Sequence, residues 1–328
     1  MKTIGILVDQ VELIDNINLV KDYYLDYKII KIFCNSEVIM NRARKVFGDN
    51  INIINSFDEY SLSDVNLLLL SSKYKDVVKY SHINNVIEKS NINIKYLYDT
   101  MADDMITSLR EIKSKIINIS GMGMNGDKFA IALKIKKNLD ERNIKSCIIS
   151  STGLELNEPI IGFPYMIFEN NNFKDIINKF NDFIYKLSNK YDVIILVTPL
   201  GIMPIDEKFN NDFGYYSYII SNAVRTDFLF LSVYGNYYNV DDLEKIGKKY
   251  ENLFNCKICS YIISSNIIDI LDYFKTKKIS FLPVSKKIIE ECQEIYNKSS
   301  IKCYTLSDFN IDEIVRCIKN NVKKYEVI

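Results

Sequence analysis

The chain has 328 residues with 42 basic and 42 acidic side chains, one histidine and no tryptophan. This balanced charge argues against a nucleic-acid-binding groove, because such proteins carry a basic excess on one face. The single histidine, His82, cannot form a His-rich centre, and we predict no metal site. A chain of this length usually divides into domains, and we expect two.

The start of the chain predicts a strand. Residues 1–8 lack the long apolar run of a signal peptide, and Asp9 follows them directly. Elsewhere no run of 18 uncharged apolar residues occurs, so we expect no membrane segment and a cytoplasmic location. The seven cysteines are odd in number and scattered along the chain, which argues against a disulfide framework.

Short β-branched runs alternate with longer amphipathic segments along the whole chain. This alternation predicts an α/β fold of two domains, each a mostly parallel sheet flanked by helices. We place an N-terminal α/β domain at 1–98, a connector at 99–114 and a C-terminal α/β domain at 115–328. In the first domain we predict strands at 3–8, 27–33, 52–54, 65–71 and 93–97, and helices at 36–47 and 74–89.

The second domain continues the same alternation to the end of the chain. Its predicted strands lie at 115–120, 145–150, 192–198, 227–234, 257–264, 278–283 and 301–306. Its predicted helices lie at 127–141, 173–190, 240–254, 266–274, 285–297 and 310–325. Ser285 and Asp308 are the predicted N-caps of the last two helices.

The most informative segment follows the first strand of the second domain, where 116–133 predicts a strand, a glycine-rich turn and a helix. Gly121, Gly123 and Gly126 match G-x-G-x-x-G, and the segment 121–128 approaches the P-loop pattern G-x-x-x-x-G-K-[ST]. In both motifs backbone N–H groups and the helix N-terminus bind phosphate. We therefore predict a phosphate- or nucleotide-binding site formed by Gly121, Gly123, Asn125, Gly126 and Lys128.

Each of the two motifs lacks a part. A dinucleotide site needs an acidic residue at the end of the next strand, where the nearest candidate is Glu155. In the P-loop motif Asp127 is inserted before the lysine, and Phe129 stands near the position of the magnesium-binding hydroxyl. A nucleotide with magnesium remains the candidate cofactor, with Asp127 and Asp227 as candidate carboxylates for the ion. The alternative is that the glycines only permit a tight turn against the sheet.

Further pocket-lining candidates follow or precede later strands. Thr198 and Gly201 lie in a loop after one predicted strand, and Ser221, Asn222 and Arg225 lie before the next. We expect them to gather beyond the carboxyl ends of the strands, where a doubly wound sheet binds its ligand. Arg225 could bind a phosphate through two parallel hydrogen bonds or pair with a nearby carboxylate.

Three other features have weaker functional interpretations. Residues 162–165 form either a lid or an irregular crossover. The pair Cys256 and Cys259 lacks the second pair that would complete a zinc site, and we interpret it as structural. The tyrosines at 215, 216, 218, 237 and 238 either stack on a ligand or grip a peptide, or they are packing and surface residues, which is the interpretation that we favour.

The second domain resembles the peptide maturation system proteins over about residues 115–235. The resemblance rests on ordered motifs: Gly121-x-Gly123-x-x-Gly126-x-Lys128-Phe129, the Phe163-Pro164 turn, Asp192-Val-Ile-Ile, Pro199-Leu-Gly201-Ile-Met-Pro204, Phe213-Gly214, and Ser221-Asn222-Ala-Val-x-x-Asp227-Phe228. That family is encoded beside radical SAM maturases and small Cys-rich, bacteriocin-type precursor peptides. The resemblance implies a cytoplasmic accessory protein whose partners are the precursor peptide, the radical SAM maturase or both.

Four hypotheses on function follow. The first is an accessory protein in the maturation of a Cys-rich peptide, with a nucleotide or other phosphorylated ligand bound at 121–128. The second is an ATP-dependent ligase- or kinase-like enzyme acting on a peptide or small metabolite. The third is a scaffold without a small-molecule site, and an NAD oxidoreductase is a distant fourth. The sequence assigns no catalytic residue.

Overall fold

The structure is a computed structural model. It describes residues 2–8, 14, 17, 27–34, 36–48, 51–58, 60–71, 81–90, 92–97, 108–151, 159–168, 172–204, 210–236, 238–276, 279–299, 301–309, 312 and 315. Two compact units are present, the first made of 1–101 with 152–166 and the second of 102–151 with 167–328. Most of the connector predicted at 99–114 lies outside the described residues.

The first unit contains a five-stranded parallel sheet in the order β3-β2-β1-β4-β5. Its strands are β1 (Lys2–Val8), β2 (Tyr27–Cys34), β3 (Asn52–Ile54), β4 (Leu67–Ser71) and β5 (Asn93–Leu97). Its helices are α1 (Glu37–Phe47) and α2 (Ser81–Ser90). The three leucines 68, 69 and 70 are all fully buried, as the consecutive apolar run predicts for a strand that is covered on both faces.

The second sheet has seven strands in the order β14-β11-β10-β6-β9-β7-β8. Its strands are β6 (Lys115–Gly121), β7 (Ser146–Ser150), β8 (Ile160–Gly162), β9 (Val193–Val197), β10 (Phe228–Val233), β11 (Ile258–Ile263) and β14 (Cys303–Thr305). The strand β6 pairs in parallel with β9 on one side and β10 on the other. Since β6 sits between them, the segment after it faces the loops that follow both neighbours.

The described helices of this part are α3 (Lys128–Asp140), α4 (Phe173–Ser188), α5 (Tyr215–Ala223), α6 (Val240–Phe254), α7 (Ile270–Thr276) and α8 (Lys286–Asn297). Short 3-10 helices cover Tyr165–Phe168 and Asn211–Gly214. Ser285 caps α8 by accepting a hydrogen bond from the Ile288 N–H, as predicted. No described helix has the length and apolarity needed to cross a bilayer.

The structure differs from the predicted elements in the segment after β11. A strand β12 (Asn266–Ile268) pairs antiparallel with β13 (Phe281–Pro283) in a separate two-stranded sheet that carries α7 between its strands. The predicted helix at 266–274 therefore begins later, and the strand predicted at 278–283 is not part of the main sheet. Most of the helix predicted at 310–325 lies outside the described residues, and the carboxylate of Asp308 accepts hydrogen bonds from Thr305.

Candidate functional site

The segment 121–128, called the glycine turn below, connects the carboxyl end of β6 to the first residue of α3. Asn125 and Asp127 adopt left-handed backbone conformations, with φ of 50° and 54°. Left-handed residues in a short turn point successive N–H groups toward one side, which is the geometry of an anion-binding nest. The predicted order of strand, turn and helix is therefore present.

Side chains from distant parts of the chain bind the carbonyl groups of the glycine turn. The donors are the hydroxyls of Tyr250 to Gly121 O (2.6 Å), Tyr234 to Met124 O (2.7 Å) and Ser232 to Gly126 O, and the amide of Asn211 to Met122 O (3.1 Å). All four donors are neutral. These carbonyl groups are thus bound by neutral donors and not by charged side chains.

The backbone N–H groups of the glycine turn have fewer hydrogen-bond partners than its carbonyl groups. The N–H of Met122 donates to Ser232 O at 3.2 Å, which continues the pairing of β6 with β10. In the described part of the chain, no hydrogen bond uses the N–H groups of the next five residues, 123–127. Backbone donors at the start of a helix favour a bound anion, and phosphate is the usual one.

The inserted residue Asp127 fastens the turn to the loop after β11. Its carboxylate accepts hydrogen bonds from Ser264 Oγ (3.0 Å), Ser265 N (2.6 Å), Ser265 Oγ (2.7 Å) and Asn266 Nδ2 (3.2 Å). Four donors satisfy most of the acceptor capacity of a carboxylate. Asp127, the residue inserted relative to the P-loop spacing, therefore anchors the turn to the loop after β11.

Lys128 joins the glycine turn to the loop after β9. Its side chain is buried, and Nζ donates to Thr198 O at 2.7 Å and to Leu200 O at 2.8 Å. Leu200 has a left-handed backbone, with φ of 56°. At Gly201 a Cβ atom would overlap the backbone of Met122. The structure thus brings the predicted residues Thr198 and Gly201 against the turn, and Lys128 holds that loop in place.

Contacts around the turn explain the residue types at Gly123 and Asn211. A Cβ at Gly123 would lie 2.5 Å from the Tyr234 hydroxyl oxygen, so this position requires glycine whatever the turn binds. Asn211 begins a run of four left-handed residues, 211–214, and its amide also donates to Met203 O at 2.7 Å. Such backbone strain persists where surrounding contacts fix it, and it is frequent at binding sites.

Three predicted pocket residues lie at the opposite edge of the sheet. Ser221 and Asn222 are near the end of α5, and Arg225 is exposed just before β10. Since β10 is parallel to β6, a residue before β10 lies at the amino edge and not beside the glycine turn. Asp227 lies there too, where it pairs with Lys115 Nζ at 3.1 Å. This placement differs from the one that we expected.

A cavity of about 460 Å³ borders the glycine turn. It is lined by Met122, Met203, Pro204, Tyr234, Asn236, Tyr238, Ile246, Tyr250, Ile268, Ile270, Tyr273, Phe274 and Ile279. Most of these residues were not predicted as site residues, and α7 and β12 supply one wall. A signal existed for Tyr234 and Asn236, because the first ends the strand predicted at 227–234 and the second follows it.

Burial raises the pKa of Tyr250 and of Tyr238 well above the ordinary value for tyrosine. Both phenols therefore stay protonated across the physiological range. For Tyr250 this keeps its hydroxyl a donor to Gly121 O while it accepts from the Ile202 N–H at 3.2 Å. One buried side chain thus fixes the glycine turn and the loop after β9 together.

The remaining candidates lie away from this edge or outside the described residues. Burial, followed by the charge of Cys259, raises the pKa of the Cys256 thiol to about 11, so it is not an activated nucleophile. Phe163 is fully buried, and Glu155 lies outside the described residues. His82 is exposed on α2. Within the described ranges no three His, Cys, Asp or Glu side chains converge as a metal site would require.

The sequence matches no protein-family model and no curated protein. Among solved structures, a DUF1611 family protein from Anabaena variabilis is similar over 98% of this chain and 100% of its own, with a TM-score of 0.60 and 11% identity. At that identity the similarity confirms the α/β fold and nothing further.

Two other solved structures have weaker similarity. A protein described as a plasmid partition protein from Borrelia burgdorferi B31, bound to AMPPNP, has a TM-score of 0.33 and 14% identity over 59% of this chain and 86% of its own. A pseudomurein peptide ligase type C from Methanothermus fervidus has a TM-score of 0.26 and 10% identity over 79% of this chain and 44% of its own. Both TM-scores are too low to inform the interpretation of the site.

Proposed function

We propose that the glycine turn binds the phosphate groups of a nucleotide or of another phosphorylated ligand. One observation carries this proposal: the five N–H groups of 123–127 have no acceptor among the described residues, while neutral side chains bind the carbonyl groups of the same turn. An anion that accepts from these N–H groups would complete the hydrogen bonding of the turn.

Of the two charged side chains of the turn, the carboxylate of Asp127 is bound by the loop after β11, and the ammonium group of Lys128 supports an anionic ligand. Lys128 buries its ammonium group against two carbonyl oxygens beside the turn. A cation in a region of low dielectric constant produces a stronger local potential than an exposed one. In this arrangement Lys128 acts on phosphate through its field and by positioning the loop after β9, and its two hydrogen bonds to that loop are kept.

We place this ligand site in an accessory protein of peptide maturation, with a Cys-rich precursor peptide, a radical SAM maturase or both as partners. The ordered motifs between 115 and 235 support this placement by their resemblance to the peptide maturation system proteins. Inspection of the neighbouring genes for a radical SAM maturase and a Cys-rich precursor, and co-expression with them followed by affinity purification, tests the partner. Recovery of neither protein would contradict this half of the proposal.

An ATP-dependent ligase- or kinase-like enzyme would use the same turn but would also need carboxylates for magnesium. Of the two that the sequence offers, Asp127 accepts four hydrogen bonds and Asp227 lies at the other edge of the sheet. We therefore rank ligand binding above catalysis. Phosphate release that depends on the precursor peptide would reverse this ranking.

Calorimetry with tripolyphosphate, in the presence of magnesium, tests the phosphate site directly. We expect Lys128→Met to weaken tripolyphosphate binding about tenfold, because it removes the charge beside the turn. Lys134→Met is the matched control. Lys134 is on the same helix, and its Nζ likewise donates to two carbonyl oxygens, of Leu306 and Ser307, away from the turn.

Two results would overturn the proposal. The first is that the wild-type protein binds neither tripolyphosphate nor any nucleotide. The second is that the two lysine variants lose the same affinity for tripolyphosphate. Equal losses would show that destabilisation of α3, and not removal of the Lys128 charge, weakens binding. A Gly123→Val variant cannot serve here, because Tyr234 excludes a side chain at that position whether or not the turn binds phosphate.

A further inference from the structure

The cavity beside the glycine turn has the size of a small-molecule site. Its volume of about 460 Å³ lies within the range of ligand pockets, about 300–1,000 Å³. Protein interiors are closely packed, and few of their voids are larger than a water molecule. All lining residues belong to the second compact unit. The cavity is therefore too large to be a packing defect of that unit, and it has the dimensions of a binding site.

The lining of the cavity carries no charge among the residues that the structure describes. It consists of aliphatic, methionine, proline and aromatic side chains with one asparagine. Burial raises the pKa of Tyr238 and of Tyr250, so these two phenols also stay neutral across the physiological range. An ionised group that entered this space would lose its hydration and gain no partner of opposite charge, which is costly. The lining therefore selects an uncharged ligand.

Two of the tyrosine hydroxyls at the cavity already have partners within the protein. The Tyr250 hydroxyl bonds to the backbone at Gly121 and Ile202, and the Tyr234 hydroxyl donates to the glycine turn. The side-chain oxygen of Asn236 is closed to water, so it does not face the cavity. A ligand therefore meets mainly carbon and sulfur atoms, and removal of apolar surface from water is the main source of its affinity.

The helix α7 forms one side of the cavity and is itself poorly covered. Ile270 and Phe274 lie one turn apart on this helix, and both line the cavity. They remain 52% and 66% exposed, and no residue of α7 is buried. Because burial of apolar surface is favourable, an apolar ligand that covers the inner parts of these two side chains would bind and also stabilise α7.

We infer that this cavity binds an uncharged, predominantly apolar small molecule. This ligand is separate from the phosphate compound proposed for the glycine turn. Tyr234 and Tyr250 line the cavity and bind carbonyl groups of the turn, whereas a phosphate accepts from the N–H groups of the turn. The inference goes beyond the proposed function and does not depend on it.

Calorimetry on the full chain with two matched pairs of compounds tests the class of ligand. Naphthylmethanol and naphthoate share a ring system, octanol and octanoate share a chain, and only the carboxylates are charged. We expect one or both alcohols to bind about tenfold more tightly than the matching carboxylate, with or without saturating tripolyphosphate. The inference is overturned if neither alcohol binds, if the carboxylates bind as tightly, or if tripolyphosphate displaces the alcohol. A protein that binds an alcohol but no phosphate compound would leave this inference standing and remove the proposed function.

Ile270→Asp and Leu271→Asp show whether the alcohol binds in this cavity. Both residues lie in the first turn of α7, where an acidic residue is favourable, and both are more than half exposed. Only Ile270 lines the cavity. We expect Ile270→Asp to weaken alcohol binding about tenfold, because it places a carboxylate at the rim, and Leu271→Asp to bind as the wild type does. Equal weakening in the two variants would contradict the inference.

A second pair of variants reduces the volume of the cavity. Ile246 is half-buried and lines it, so Ile246→Trp should fill part of the space and weaken alcohol binding about tenfold. Ile295→Trp is the control, because Ile295 is partly exposed on α8 and does not line the cavity. Urea denaturation of each variant checks that the fold is kept. Wild-type alcohol affinity in both Ile270→Asp and Ile246→Trp would overturn the inference.

Discussion

The glycine turn at the carboxyl edge of the seven-stranded sheet and the strand starts at its amino edge use backbone hydrogen bonds differently. The one carboxylate of the turn, Asp127, accepts from the N–H of Ser265 in the loop after β11 and not from the N–H groups of the turn. At the amino edge, carboxylates accept from N–H groups near the starts of strands: Asp227 from Ile116 N (2.9 Å), Asp192 from Lys145 N (3.2 Å) and Glu251 from Ile258 N (3.0 Å). At the carboxyl edge, neutral hydroxyl and amide groups donate to the carbonyls of the glycine turn.

This difference separates a structural edge from a binding edge. The amino-edge carboxylates satisfy the N–H groups that an anion would otherwise seek, and their negative charge repels it. At the carboxyl edge the carbonyls are satisfied and five N–H groups remain, with the ammonium of Lys128 buried beside them. Changes at the carboxyl edge should therefore alter both stability and affinity, whereas changes at the amino edge should alter stability alone.

The largest effect is expected at Gly201. In Gly201→Ala the new Cβ would overlap the carbonyl group of Met122, which is backbone and cannot rotate away. We expect the free energy of unfolding to fall by about 2–3 kcal/mol and tripolyphosphate binding to be lost, measured by urea denaturation and calorimetry. Gly126→Ala is the control, because its nearest neighbour is the Ser232 hydroxyl at 3.0 Å, a side-chain atom. Equal losses in both variants would contradict this view.

A smaller effect is expected from Tyr250→Phe, which removes one hydroxyl and leaves Gly121 O and Ile202 N without their partner. We expect a loss of about 1–3 kcal/mol in the free energy of unfolding and weaker tripolyphosphate binding. Tyr296→Phe is a matched variant, since that buried hydroxyl also donates to a carbonyl and accepts from an N–H, of Asn236 and Tyr238. The free energy of unfolding of Tyr296→Phe should fall by a similar amount, and its affinity for tripolyphosphate should stay unchanged.

At the amino edge, Asp227→Asn should lower the free energy of unfolding by about 1 kcal/mol, because it removes the pairing with the half-buried Lys115. Lys115→Met removes the other partner of this ion pair and should lower the free energy of unfolding by a similar amount. Tripolyphosphate affinity should be unchanged in both variants, as measured by calorimetry. A several-fold change in tripolyphosphate affinity would show that the two edges of the sheet are not independent.

These features differ in how far the sequence predicts them. The strand, glycine turn and helix at 116–133 were predictable, because the glycine spacing and the apolar periodicity are local. Local patterns also gave the strands of the two large sheets within one or two residues at most ends, except β8 (Ile160–Gly162), which was not predicted. The pairing of 266–268 with 281–283 was missed, since it joins two short segments across an intervening helix.

The site itself was only partly predictable. The hydroxyl of Tyr250 comes from a residue more than 100 positions away from the turn, in the middle of a helix, so no local pattern indicates it. The helix α5 was missed because its N-cap is a left-handed glycine, Gly214, without a side-chain cap. The prediction that Arg225 lies beyond the carboxyl ends of the strands was wrong. The predicted strand at 227–234 already implied the amino edge, since residues that precede a parallel strand lie at that edge.

The smallest effect concerns acid stability at the amino edge. Burial pushes the pKa of Glu251 up, but hydrogen bonds from Lys257 and from the Ile258 N–H outweigh it, and the pKa in the folded protein lies below the ordinary value of 4.5. The resulting stabilisation is present above that ordinary value and is lost as the pH falls through the lower folded pKa. Glu251→Gln should therefore be less stable than wild type at pH 7, and the gap should narrow below pH 4.5. Urea midpoints measured from pH 7 to pH 3 test this, and a gap that stays constant with pH would contradict it.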